Sequence, residues 1–235
     1  MVVLYIIGGF ILFVLLWHIS TKKYINPYKL IFYFGKKGSG KSTLLTRLAY
    51  ESLKKGKTVY TQDILSFKIR NKAFHKKEYV STLPFEPTNI YNYSFPAGSV
   101  VLIDEASLLW SNRDFKHFDK KIIEWFQQQR KYKVTVHLFS VSFDIDKKIR
   151  DLCDEMFIVQ KFARVLSVAR HVVRKPIIVH PMGDAPASIQ DDIIEDGLLL
   201  APFGGMKVSF IPRWSKSFDS FAEVVKVAGG ASLST

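Results

Sequence analysis

The stretch Gly35, Lys36, Lys37, Gly38, Ser39, Gly40, Lys41, Ser42 and Thr43 sets out the pattern G-x-x-x-x-G-K-[ST] with a second hydroxyl behind it. Glycines at those places let successive backbone N–H groups curl around an anion, and a helix that starts where they end points its positive pole at the same charge. A lysine next to the last glycine reaches the β- and γ-phosphates of a nucleotide, and the serine hydroxyl after it is a hard oxygen ligand for Mg2+. The nine residues are therefore expected to cradle a triphosphate, with Lys41 acting on it and Ser42 on the metal. The competing explanation is a glycine-rich turn that merely caps a helix.

A second pair of residues fits the same chemistry. Ser99 to Glu105 is SVVLIDE, an apolar run that ends in two acids. A carboxylate at the end of a buried strand can hold the Mg2+ of a bound nucleotide through water, and its neighbour can orient and deprotonate the attacking water. Asp104 takes the first role and Glu105 the second. Asn71-Lys72-Ala73-Phe74 lacks the acid of an N-K-x-D guanine signature, so ATP is the expected nucleotide. The acid pair also favours hydrolysis over a small-molecule kinase, whose substrate brings its own nucleophile.

These residues need elements to hold them. Lys29 to Phe34, KLIFYF, is a buried first strand leading into the glycine loop, and TLLTRLAYESLKK after it has apolar positions at helical spacing. Beyond Glu105, Lys120 to Arg130 is expected as a helix and Val134 to Val141 as a strand. DIDKKIRDLCD then forms a helix opened by Asp144, and EMFIVQK a further strand. That alternation predicts an α/β fold, a P-loop NTPase with a mainly parallel sheet flanked by helices. The stretch from Asp63 to Pro96 is less regular and carries a strand or an insertion. After Arg164, VLSVARHVV and KPIIVH are expected as strands, APFGGM as a loop, SFDSFAEVVKVAG as a short amphipathic helix and GGASLST as a frayed tail.

Val2 to Ile19 has no acidic or permanently cationic side chain, and thirteen of its eighteen residues are Val, Ile, Leu or Phe. As a helix it is about 27 Å long, close to the ~30 Å hydrocarbon thickness of a bilayer. No basic segment precedes it and no small-x-small site follows, so a retained transmembrane anchor is favoured over a cleaved signal peptide. Lys22, Lys23 and Lys29 follow the span, which puts the N-terminus outside and the remainder in the cytoplasm, at a host inner membrane or a virion's internal membrane. The expected organisation is an anchor at 1–20, a basic linker at 21–28, a P-loop core at 29–162 and a C-terminal extension at 163–235.

Composition bounds the partners. The 235 residues hold 34 Lys and Arg against 21 Asp and Glu, a formal charge of +13 that draws phosphate polymers and anionic membranes alike. Phe67 to Tyr79, FKIRNKAFHKKEY, mixes bases with aromatics, as a nucleic-acid contact or a solvated basic loop would. Lys116, Lys120, Lys121, Lys131 and Lys133 add basic character. The single cysteine, Cys153, rules out an internal disulfide, and six scattered histidines give no zinc-ligand spacing.

The run QQQRKYKVTVHLFSVSFDIDKKIRDLCDEMFIVQK, with Gly35 to Ser42 and Val100 to Glu105, resembles the zonula occludens toxin (Zot) family of filamentous-phage assembly ATPases, relatives of the FtsK/HerA pumping motors. The resemblance covers roughly residues 29 to 161, and its more particular part is the R-x-Y…I-D-K-x-I-R stretch from Arg130 to Arg150. It implies an oligomeric ring, hexameric by analogy, that uses ATP to drive DNA export or assembly at the inner membrane, with phage coat or assembly proteins as further partners. The chain departs from the family in placing its span before the ATPase domain. Members often carry Gln at the end of the third strand, where Ser140 stands here as the sensor. A ring motor also needs a trans-acting arginine on the transferring phosphoryl group, and Arg130 and Arg150 are the candidates. The alternatives are a genome-packaging ATPase of a membrane-containing phage and a nucleotide-binding scaffold with little hydrolysis.

Overall fold

A computed structural model describes residues 2–21, 26–70, 77–110, 120–179, 188–195 and 205–214. Its centre is β1, Leu30–Phe34, in which all five side chains are buried. Alternate residues serve opposite faces, as the strand's period of two requires. Leu30, Phe32 and Phe34 join one core, with Ile122, Trp125 and Phe126 of helix α4 (Lys120–Gln128) and Ile149 of helix α5 (Lys147–Leu152). Ile31 and Tyr33 join the other, with Leu44, Leu45 and Ala49 of helix α2 (Lys41–Lys54). Each fully buried Leu, Ile or Phe contributes about 1.5–3 kcal/mol, so a strand buried on both faces is the natural pivot of the fold.

The remaining strands are β2 (Val59–Thr61), β3 (Ser66–Arg70), β4 (Lys77–Ser81), β5 (Leu83–Pro84), β6 (Val100–Ile103), β7 (Thr135–Ser140), β8 (Glu155–Phe162), β9 (Leu166–Val179), β10 (Ser188–Glu195) and β11 (Met206–Phe210). The main sheet runs β10-β9-β8-β1-β7-β6-β2-β5, with β11 paired to β9. From β8 to β5 every pairing is parallel, whereas β9 pairs antiparallel with β8, β10 and β11. The mainly parallel α/β sheet is thus as expected, with an antiparallel wing added to it. Between the glycine strand and the acid strand lies β7, in register Phe34↔Ser140 with β1 and Ile103↔Leu138 with β6. The chain therefore folds so that the C-terminal ends of β1, β7 and β6 meet at one edge.

Several local expectations shift. Helix α5 is opened by Asp146, whose Oδ1 accepts from the Lys148 N–H at 2.8 Å, and not by Asp144. The cap position belongs to the residue that still has extended backbone just before the helix, and here that is two residues later. The irregular stretch after Asp63 holds a separate antiparallel pair, β3 with β4, then β5 and a 3-10 turn over Pro87–Asn92. One strand, β9 (Leu166–Val179), takes up VLSVARHVV from Leu166 and KPIIVH as far as Val179, and His180 lies outside the described residues. The expected C-terminal helix and tail, Lys116, the tip of the basic stretch at 71–76 and residues 22–25 of the linker lie outside the described residues.

The first helix, α1, spans Val2–Thr21. Among the described residues no helix is long and apolar enough to cross a membrane. In α1 the described side chains run without a gap only from Ile7 onward. Most of those described, Ile7, Phe10, Ile11, Leu12, Phe13 and Trp17 among them, are exposed, and Val14 and Thr21 are half-buried.

Candidate nucleotide site

The chain leaves β1 at Gly35, whose N–H donates to the Ser140 carbonyl at 3.2 Å and so ties the loop to the end of β7. A Cβ at Gly35 would drive into the Val159 carbonyl oxygen of β8, so glycine is required there by close approach. Gly40, the N-cap of α2, has φ 92, and a Cβ on it would meet the Ser167 Cβ at 2.6 Å. Beyond Gly40, the first N–H groups of α2 have no acceptor within the helix and form the anion-facing end that the spacing anticipates. Ser39 adds a hydroxyl that is 6% exposed and has no hydrogen-bond partner among the described residues. Lys36 and Lys37 are exposed, and Thr43 is buried behind the loop.

Lys41 is 7% exposed, and its ammonium donates to the Gly35 carbonyl at 2.8 Å and the Lys36 carbonyl at 3.1 Å. Burial pulls its pKa below the usual lysine value, against the opposing pull of Asp104 and Glu105. The ammonium is thus folded onto the rim of the loop, within the field of both acids. The Ser42 hydroxyl donates to Asp104 Oδ2 at 3.4 Å. Burial raises the Asp104 pKa, while the Glu105 N–H, donating to its Oδ1 at 2.9 Å, works the other way.

The Ser42 hydroxyl and the Asp104 carboxylate stand together and are both the hard oxygen donors Mg2+ takes, so the pair fits the ion, Ser42 as a ligand and Asp104 through water. Among the described residues no group of three or more His, Cys, Asp or Glu could hold a metal. A two-oxygen site whose other ligands come from phosphates and water is the arrangement Mg2+ accepts.

Glu105 is exposed and has φ 49, ψ 40, the left-handed region that a non-glycine residue occupies at a cost of roughly 1 kcal/mol. The strain aims the residue away from the line of β6 at the point where helix α3 (Ala106–Leu109) begins. Gln62, directly after β2, accepts from the Asp104 N–H at 2.6 Å through its Oε1 and so fixes the acid strand's last peptide. In the sequence Gln62 is marked only as a lone amide after the strand that pairs with the acid strand.

The other expected site residues are elsewhere. The Ser140 hydroxyl is spent on its own turn, donating to the Ser142 carbonyl at 2.7 Å and accepting from the Ser142 N–H at 3.2 Å. Its side chain is fully buried, and its contact with the loop is made by its backbone, through the carbonyl that accepts from the Gly35 N–H. Arg130 pairs with Asp154, which also accepts from the Leu30 N–H at 2.8 Å, and so lies at the far end of β1. Arg150 donates to the Phe143 carbonyl at 3.0 Å with its guanidinium 4.3 Å over the Phe143 ring.

The family model for zonular occludens toxin (Zot) matches residues 29–188. No curated protein matches. Among solved structures the chain is similar to the N-terminal domain of zonular occludens toxin from Neisseria meningitidis, at 15% identity over 74% of this chain and 97% of that one, with a TM-score of 0.46. It is similar to the genome packaging NTPase B204 from Sulfolobus turreted icosahedral virus 2 in complex with ATP-gammaS, at 15% identity over 57% and 75%, TM-score 0.43. It is also similar to flagellar accessory protein FlaH from Methanocaldococcus jannaschii, at 17% identity over 61% and 77%, TM-score 0.40.

Proposed function

This chain belongs to the zonular occludens toxin (Zot) family and is a P-loop ATPase, and from that premise we propose that it is a membrane-anchored motor that hydrolyses ATP to drive DNA translocation in phage assembly or export. The observation that carries the reading is the meeting of Lys41, Ser42, Asp104 and Glu105 at the C-terminal ends of β1 and β6, on either side of β7, with the Ser42 hydroxyl 3.4 Å from Asp104. Lys41 leaves the loop carbonyls for the β- and γ-phosphates, a better partner for a buried ammonium. Ser42 and Asp104 would hold Mg2+, which would supply neutralising charge to the phosphates. Glu105 orients the attacking water and takes its proton, and its strained backbone fixes where that happens.

Three features support the membrane and the polymer. Val2–Thr21 is helical, carries no Asp, Glu, Lys or Arg, and exposes apolar side chains such as Ile7, Phe10, Leu12 and Trp17 that lipid would cover. By the positive-inside rule the ATPase part faces the cytoplasm. The chain's charge of +13 suits a phosphate polymer. On the β3–β4 pair the exposed Tyr79 ring has the Lys68 ammonium 5.4 Å from its centre, an aromatic with a cation beside it, as single-stranded nucleic acid contacts use. A homo-oligomeric ring, hexameric by family analogy, is part of the proposal.

The test is ATP turnover by the chain reconstituted in lipid vesicles, with and without DNA at low salt. A motor responds to DNA severalfold and loses turnover in Glu105→Gln while still binding ATP. A response below twofold would leave a nucleotide-binding scaffold as the better description, and a chain that stays in solution beside vesicles would remove the anchor.

A further inference from the structure

The flank of the glycine loop opposite the acids is built by the β8–β9 hairpin. The last register pair between β1 and β8 is Phe34↔Ile158, yet β8 continues from Val159 to Phe162, about 13 Å further at the usual rise of a strand. The hairpin therefore projects beyond the end of β1, on the loop's own edge of the sheet. Both of its arms touch the loop: Val159 backs Gly35, and the Ser167 hydroxyl donates to the Gly40 carbonyl at 3.1 Å.

The turn at its tip is strained. Ala163 and Arg164 stand successively at φ 46 and φ 61, where a hairpin ordinarily places glycine or asparagine. Two left-handed non-glycine residues in a row cost on the order of 1–3 kcal/mol each, and they persist because the turn is braced. The Val165 N–H donates to the Ala163 carbonyl at 2.8 Å, and the Ile211 N–H donates to the Val165 carbonyl at 2.8 Å from the segment that follows β11. What the strained turn displays is Arg164, exposed and in no hydrogen bond or ion pair among the described residues. Arg130 and Arg150 are held by Asp154 and by the Phe143 carbonyl. Arg47 is held by Glu51 and Arg174 by Asp151.

We propose that Arg164 supplies the guanidinium that meets the phosphates of the bound nucleotide, approaching from the β8 side while Asp104 and Glu105 stand on the β6 side. This rests on the ATPase reading. The source of the guanidinium is either the copy that holds the nucleotide, whose loop the hairpin touches, or a neighbouring copy toward which the tip projects. In both cases the planar fork stabilises charge that grows on the transferring group, so it acts on turnover more than on binding.

Arg164→Gly is the informative variant, because glycine accepts φ 61 and the folded state should keep or raise its Tm. In the full chain in lipid, kcat should fall at least about 100-fold with KM changed by less than threefold, and Arg164→Lys should not restore it. Lys161→Ala removes one charge from the same hairpin and should leave kcat within threefold of wild type. Mixing Arg164→Gly with Lys41→Ala chains distinguishes the sources: recovered turnover means that a neighbour supplies the arginine, and no recovery means the same copy does. Turnover of Arg164→Gly within threefold of wild type, or an equal loss from Lys161→Ala, overturns the inference while the ATPase reading stands. A wild-type chain whose turnover Lys41→Ala leaves untouched overturns that reading and this inference together.

Discussion

At the N-terminal ends of β1 and β8 the described charges have found partners. Lys29 pairs with Glu155, Arg130 with Asp154, and Asp154 also takes the Leu30 N–H while its own N–H donates to the Leu30 carbonyl at 2.8 Å. A neutral amide oxygen, Gln129 Oε1, is left over there. At the C-terminal ends the situation is reversed. A buried ammonium rests on carbonyls, a buried carboxylate has its pKa raised, a buried hydroxyl has no partner, and Glu105 holds a left-handed backbone. One end of the sheet is satisfied by the protein and holds it together. The other is complete only with an anion and a cation that the protein does not supply, which is the thermodynamic form of a binding site.

Substitutions at the two ends should therefore part company. Glu105→Gln is expected to lower ATP turnover about 100- to 10,000-fold with ATP affinity retained, read as phosphate release beside calorimetric binding. Gly35→Ala should cost about 1–3 kcal/mol as the new methyl pushes on Val159, seen as a lower urea midpoint, and should weaken ATP binding as well. Asp154→Ala strands the buried end of β1 and should cost about 1–3 kcal/mol, yet kcat per folded molecule should not move. A 100-fold fall in its kcat would show that the two ends are not separate.

Smaller effects sharpen the contrast. His137, buried on β7, stacks on Tyr33, whose hydroxyl stands 3.3 Å from its Nδ1. Lys207 donates to that hydroxyl at 2.6 Å, so the tyrosine's own hydrogen is directed to the imidazole. Burial holds His137 down to about 3, against 6.5 for the free side chain. The unfolded chain therefore takes up this proton first, and stability falls as pH drops below about 6.5, by at most ~1.4 kcal/mol per unit, until the folded pKa is reached. Urea midpoints between pH 6.5 and 4.5 should flatten in His137→Phe. Arg130→Ala, whose side chain is largely exposed, should cost under about 1 kcal/mol and leave turnover within twofold.

Much of this was legible in residues 29–162, because a loop that wraps phosphate needs glycine at fixed places and a doubly buried strand must be apolar throughout. Gly35 to Ser42 and Val100 to Glu105 therefore announced the two halves of the site, and the alternating segments announced a parallel sheet. The position of β7 between β1 and β6 carried no local signal, since strand order is decided by long-range packing. The break expected at Arg174, between VLSVARHVV and KPIIVH, is absent, and β9 runs on through Pro176 although proline cannot donate to a ladder. At that point β9 pairs only with β10 among the described residues, so the missing donor is tolerated. Side-chain roles were the least legible: Ser140, Arg130 and Arg150 have the right types, but their partners come from Ser142, Asp154 and Phe143, whose proximity the spacing did not foretell.

The insertion of β7 has a mechanical meaning. The glycine loop and Asp104 hang from strands two ladder spacings apart, about 9.5 Å, joined by two sets of peptide hydrogen bonds in series. Splaying or twisting either ladder by an ångström would part the Ser42 hydroxyl from the carboxylate it now meets at 3.4 Å. A load applied to the sheet's flank, by a taut polymer or an adjoining subunit, would thus throttle cleavage of the nucleotide without contacting the loop itself.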